Sequence, residues 1–214
     1  ADGMIGLGHL TGGSSSKALG ISADGNVIVG DSTSAIGQQA FRWTQADGMI
    51  GLGMLTGGSF STAFAANADG SVVIGDSSSS SGTQAFRWTQ AGGMVGLGDL
   101  PGGPFQSDAR AVSADGSVVV GVSNSTNGAE AFRWTQATGM VGLGDLPGGA
   151  VSSLAYGVSA NGNVIVGSAT DASGLQAFRW TQATGMKSIA DLLTAGGVDL
   201  TGWKLSQAKA TNAD

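Results

Sequence analysis

Phe41-Arg42-Trp43-Thr44-Gln45-Ala46 returns as Phe86–Ala91, Phe132–Ala137 and Phe178–Ala183, which sets one tryptophan in each of four copies. The spacings between Trp43, Trp88, Trp134 and Trp180 are 45, 46 and 46 residues. A second phrase, Gly-Met-(Ile/Val)-Gly-Leu-Gly, recurs around Met4, Met49, Met94 and Met140 and decays after Met186. A period of this length marks an array in which each copy covers the apolar face of its neighbour.

Working outward from the tryptophan phrase, each copy reads as four short strands. Alternation puts Phe41 and Trp43 on one face of a strand over Ala40–Thr44 and Arg42 and Thr44 on the other. A first strand over Lys17–Ser22 leads to Asp24-Gly25, which becomes Asp69-Gly70, Asp115-Gly116 and Asn161-Gly162 in later copies. These dipeptides suit tight hairpin turns. The second strand, Val27-Ile28-Val29-Gly30, is a β-branched run, as expected when both faces are covered. A Ser-rich stretch such as Ser77–Gly82 reads as a loop, and Met49–Leu55 reads as a glycine-bearing fourth strand.

The expected fold is all-β: a β-propeller built from four-stranded blades of about 46 residues, with the first strand innermost. An open β-solenoid is the alternative. Residues 1–214 form one repeat domain with copies at 11–56, 57–101, 102–147 and 148–193 and a partial copy at 194–214. A helical turn fits only Met186–Gly197, and a further first strand fits Trp203–Ala210. The chain begins within a copy at Gly3-Met4, and Asn212-Ala213-Asp214 matches Asn67-Ala68-Asp69. The expectation is a longer array with at least a fifth copy, and self-association through strand edges at Met4 and Trp203.

Composition narrows the functions. The net charge is −6, and four of the five arginines sit at equivalent strand positions, so no basic stripe exists for nucleic acid. No apolar run approaches the roughly 18 residues of a membrane span. One histidine, no cysteine and no paired carboxylates leave few parts for a hydrolytic triad or zinc site. The turn aspartates Asp24, Asp69 and Asp115 each stand alone, whereas calcium takes about six to eight oxygens, so turn chemistry explains them better. Gly51-Leu52-Gly53 lacks the helix and lysine of a phosphate cradle. No cofactor is expected.

The repeat phrases Ser22-Ala23-Asp24-Gly25, Val27–Gly30, Ala40–Thr44 and Gly51–Gly53 resemble the bacterial extracellular repeat of the HAF type, over nearly the whole chain. Gln39, Gln84, Glu130 and Gln176 stand where that family carries its eponymous histidine. The tail Asp191–Trp203 resembles the region where such arrays run on toward an autotransporter's membrane barrel. The resemblance implies an exported, cell-surface protein, part of an autotransporter passenger, and brings no catalytic activity with it.

The functional expectation is a non-catalytic surface module for adhesion, recognition or rigid display, with a multivalent carbohydrate-binding propeller as the alternative. A surface polysaccharide or a protein is the expected partner. Tryptophans and arginines common to every copy read as framework: a buried aromatic ladder, and hydrogen bonds within each blade or snorkelling contacts. Specificity would sit in the loops that differ between copies, with Lys17, Phe60, Phe64, Phe105, Arg110 and Tyr156 as candidate ligand residues.

Overall fold

The structure, a computed structural model, describes residues 3–212. The match of Ala213-Asp214 to the earlier turns lies outside the described residues. Four antiparallel four-stranded units follow one another along the chain. The first holds β1 (Ser16–Ile21), β2 (Ile28–Ser34), β3 (Gly37–Thr44) and β4 (Gly48–Gly51). The second holds β5 (Ser61–Ala66), β6 (Val72–Ser79), β7 (Gly82–Thr89) and β8 (Gly93–Gly96). The third holds β9 (Gly102–Val112), β10 (Val118–Ser125), β11 (Gly128–Thr135) and β12 (Gly139–Gly142). The fourth holds β13 (Gly148–Val158), β14 (Val164–Asp171), β15 (Gly174–Thr181) and β16 (Gly185–Ser188), followed by α1 (Ile189–Ala195). The result is a β-propeller-like all-β repeat fold.

Strands two and three run further than their polar residues suggested. Ser77–Gly82, expected as a loop, instead continues the ladder through the pairs Ser77–Gln84, Ser78–Thr83 and Ser79–Gly82. The serine hydroxyls are satisfied there without interrupting it: Ser78 Oγ accepts from the N–H groups of Ser59 and Phe60. The fourth strand is correspondingly shorter, ending at Gly51 rather than Leu55.

The cores lie between units, not within them. Val27, Val29, Ala40 and Leu52 of unit one pack on Ala63, Val73 and Phe86 of unit two. Val72, Ile74, Ala85, Leu97 and Leu100 from the other face of unit two pack on Ala109, Val119 and Phe132 of unit three. Val118, Val120, Ala131, Leu143 and Leu146 then meet Ala155, Ile165 and Phe178 of unit four. Hence the unbroken β-branched run: Val73 faces backward while Val72 and Ile74 face forward. Burying both faces is what stabilises a sheet without a helix to cover it.

Polar seams fix the register of neighbours. Ser61, Ser107 and Ser153 each accept from the preceding unit's third strand (the N–H groups of Ala40, Ala85 and Ala131). The same hydroxyls donate to carbonyls of Gly53, Gly98 and Gly144. At the hairpin end a backbone relay runs from Asp24 N–H to the Ala68 carbonyl, from Ala68 to Ala114, and from Ala114 to Ala160. Arg42 and Arg87, expected to bond within their own unit, reach across instead. Each donates Nε to a turn carbonyl of the following unit, Gly70 or Gly116, at 3.2 Å. Their strand's forward face abuts that neighbour, so its exposed carbonyl is the acceptor within reach.

The tryptophans do not form a fully buried ladder. Phe41, Phe86, Phe132 and Phe178 are completely buried, whereas all four tryptophans of the repeat are half-buried. Trp88, Trp134 and Trp180 cap the margins of the three cores. Period-two alternation assigns a face; depth depends on distance from the hairpin end, where the core gives way to solvent.

β1, β5, β9 and β13 lie side by side along an inner edge. After α1, whose first turn is capped by Ser188 Oγ accepting from Asp191 N–H, the tail returns to that edge. Ala177 N–H donates to Leu205 O and Ala208 N–H to Gly167 O. Lys209 and Ala210 approach Gly157 as Phe64 and Ala65 approach Gly20, so this stretch takes the place of a fifth inner strand. Ile21, Ala66, Val112, Val158 and Thr211, one from each inner segment, line a single cavity of about 300 Å³.

Candidate functional site

Every inner strand is bulged at one equivalent position, and β9 and β13 carry a second irregularity nearer their start. The ladder skips Leu19 between Ala18 and Gly20, and Phe64 between Ala63 and Ala65. It skips Arg110 between Ala109 and Ala111, and Tyr156 between Ala155 and Gly157. A bulged residue has no cross-strand partner, so its side chain is re-aimed away from the sheet's regular alternation. The framework around these positions repeats almost unchanged, yet the four bulges carry an aliphatic, an aromatic, a cationic and a phenolic side chain.

Neighbouring bulges meet. The Arg110 guanidinium lies 4.7 Å from the centre of the Phe64 ring. Lys209, at the equivalent place in the tail, lies 3.4 Å over the Tyr156 ring, and Gln207 Nε2 donates to the Tyr156 hydroxyl at 3.3 Å. Cations stacked on aromatic faces hold both partners in place while leaving the remaining donors for other contacts.

Beside Arg110 sits an acidic group that no sequence pattern singled out. Asp108 Oδ2 is 3.7 Å from Arg110 Nη2. Asp76 of the preceding unit is half-buried nearby, and its Oδ1 and the Nε of Arg110 are buried without a hydrogen-bond partner. Burial pushes the Asp76 carboxyl up to about 6; the Asp108 charge adds to the rise, Asp31 adds a little, and Arg110 opposes it. Burial also raises Asp108, against the pull of Arg110. The available signal was positional: the residue after the strand-two glycine is Asp31, Asp76, Val122 and Ser168 in successive units, a site where the repeat tolerates charge.

Because Asp76 binds its proton more tightly in the folded chain, stability falls as pH rises from about 3.8 to about 6 and stays reduced above that. Asp76→Asn is therefore expected to raise stability at pH 7.5 by about 1 kcal/mol, a figure reduced for partial solvent screening. At pH 4 the gain should vanish. Urea unfolding at the two pH values measures both, and an equal effect at each would contradict this account.

The six residues expected on variable loops fall mainly on strands. Lys17 is on β1 opposite Asp31, Phe64 on β5, Phe105 and Arg110 on β9, and Tyr156 on β13. Only Phe60 precedes its strand, and it bridges to Gln38. In units three and four the Gly-Gly phrase itself enters the strand, which converts the expected loop into an 11-residue inner strand. Phe64 and Arg110 are brought together, and Tyr156 joins the same edge. Phe105 lies five residues before Arg110, roughly 16 Å along the strand, and stands apart from this group.

No protein-family model matches the chain, and no curated protein sequence matches it. Solved structures share its fold. TolB from Acinetobacter baumannii superposes with a TM-score of 0.54 at 16% identity, over 77% of this chain and 40% of that one. A protein described as TolB from Agrobacterium tumefaciens gives 0.56 at 15% identity, over 82% of this chain and 61% of that one. Prolyl oligopeptidase B from Galerina marginata gives 0.50 at 9% identity, over 92% of this chain and 27% of that one. The matched region thus spans about 40–60% of the TolB chains. At these identities the likeness is one of propeller-type architecture alone.

Proposed function

We propose that this chain is a non-catalytic recognition module, exported to the bacterial cell surface as part of an autotransporter-like passenger, and that its units are blades of a β-propeller. Two features favour blades over solenoid coils. Neighbouring units share one parallel residue pair per seam (Gln38–Phe60, Thr83–Gln106, Ala129–Ser152), whereas a solenoid continues its ladders from coil to coil. The five inner segments also face one cavity. The resemblance of the repeat phrases to the HAF type supports the surface location.

The observation that carries the recognition reading is the row of bulges. A repeat that keeps its framework while changing Leu19, Phe64, Arg110 and Tyr156 concentrates its diversity where side chains leave the sheet. The unpartnered Asp76 Oδ1 and Arg110 Nε beside them are buried polar atoms that a ligand's groups could satisfy. The stiffness of three consecutive inter-unit cores also suits rigid display of a neighbouring domain.

The test is an array carrying glycans and extracellular-matrix proteins, probed with the whole folded chain and with Arg110→Ala/Tyr156→Ala. Selective binding that the double variant loses, at unchanged circular dichroism, is the expected result. Silence from the folded wild-type chain would leave the display role, and the absence of any target lost by the variant would remove the bulge row as a site.

A further inference from the structure

The framework residues themselves build a second kind of site, away from the bulges. At the hairpin end of unit two, Arg42, Asp69, Gly70, Trp88, Gln90 and Asp115 line a groove of about 480 Å³. At the same place in unit three, Arg87, Asp115, Gly116, Trp134, Gln136 and Asn161 line one of about 530 Å³. Each groove is assembled from three consecutive units: an arginine from the one before, the turn and tryptophan strand of its own, and the turn of the one after. Arg87 and Asp115 line both, so the two grooves are contiguous.

The polar groups are held ready. The Nε bonds of Arg42 and Arg87 to the turn carbonyls fix the guanidinium planes, and Arg42 Nη1 also lies 3.9 Å from Asp47 Oδ2. In each turn Oδ1 is consumed: Asp69 accepts from Ser71 N–H and Oγ, and Asp115 from Ser113 Oγ, Ser117 N–H and Ser117 Oγ. Those bonds lower both carboxyls below their ordinary value, the serine hydroxyls contributing most, so both stay ionised. Oδ2 makes no protein hydrogen bond in either residue and is the free acceptor. Trp88 and Trp134 rest on the cores beneath and present the rest of the indole to the groove.

We infer that these grooves bind a linear, uncharged polysaccharide of hexose units, lying across consecutive blades. An indole offers its flat apolar surface to the C–H face of a sugar ring. Hydroxyls both donate and accept, which matches carboxylate oxygens alternating with guanidinium donors and a glutamine amide. Across both grooves Arg42, Arg87 and Arg133 stand against Asp69 and Asp115, and Asp47 lies 3.9 Å from Arg42, so little net charge is left to attract a polyanion, and the chain's own −6 repels one. Contiguity selects a polymer over a single sugar, because successive residues of one strand then occupy successive grooves.

Asn161 supplies the control. It makes the turn as the aspartates do, accepting from Ser159 Oγ and Asn163 N–H, so Asp69→Asn/Asp115→Asn removes both free carboxylates and keeps the turns. The whole chain is titrated with cellohexaose, maltohexaose, mannohexaose and polygalacturonate, following tryptophan fluorescence. At least one neutral hexasaccharide should bind, and the double variant should weaken it about tenfold or more with an unchanged melting curve. Arg110→Ala/Tyr156→Ala should bind as the wild type does, which separates these grooves from the bulge row. No binding of any neutral hexasaccharide, full binding by the Asp→Asn variant, or preference for polygalacturonate would each overturn the inference.

Discussion

Phe86→Ala is expected to destabilise the chain by about 3–5 kcal/mol, at the upper end for a truncated core aromatic. Phe86 is completely buried and belongs to the seam between units one and two, against Val27, Val29, Ala40 and Leu52. Its cross-strand neighbours are Gly75 on β6 and Gly96 on β8. Both neighbours lack a side chain, and the ring edge stands 2.9 Å from where one at Gly75 would begin, so no cross-strand side chain can move in to close the hole. A cavity that cannot collapse keeps its full cost. Trp88→Ala, two residues along the same strand, should cost only about 1–2 kcal/mol, because the half-buried indole already borders solvent. Urea denaturation followed by circular dichroism ranks the pair, and equal losses would refute the assignment of depth. A fall in m-value for Phe86→Ala would further indicate that unit one melts apart from the rest.

That contrast marks the boundary of what the sequence discloses. Face is legible: Phe and Trp two residues apart must share a side, and they do. A run such as Val72-Val73-Ile74 must be covered on both sides, and its members divide between two cores. Depth is not legible, because it depends on where a neighbouring unit ends. The destination of Arg42 was hidden for a related reason: its acceptor is a backbone carbonyl some 28 residues downstream, and carbonyls leave no mark in a sequence.

The bulges were equally silent. Ala63-Phe64-Ala65 reads as ordinary alternation, and an extra residue in one strand shows only when the partner strand is set beside it. The trace that does exist is Gly75 across the ladder, read from sequence as the end of a β-branched run. The candidate residues Phe64, Arg110 and Tyr156 were found by their variation between copies, but the reason they vary freely is geometric. The groove residues present the opposite case. Their recurrence in every copy argued for a framework role, and the same recurrence is what makes the grooves equivalent.

Gly75→Ala is expected to cost about 3 kcal/mol or more, a large effect for one added methyl. A Cβ at Gly75 would stand 1.9 Å from the Thr62 carbonyl oxygen and 2.9 Å from both Ala63 Cα and Phe86 Cε1. Two of those neighbours are backbone and the third is a ring locked in the core, so none can swing aside. The same closeness holds in every unit: Gly30 against Lys17 O, Gly121 against Asp108 O, Gly167 against Leu154 O, at 1.9 to 2.0 Å. The backbone of Gly75 lies outside the left-handed region, so the penalty is steric rather than conformational. Alanine would restrict the unfolded chain and return roughly 0.4–1 kcal/mol, which offsets only part of the clash. Relief requires β5 to slide outward and flatten the bulge at Phe64, separating that ring from Arg110. Two measurements therefore move together: unfolding free energy drops, and binding that depends on the inner edge weakens, while the grooves at the hairpin end keep their shape. A loss below about 1 kcal/mol would mean that the inner strand is not bulged against Gly75 and that Phe64 owes its position to something else.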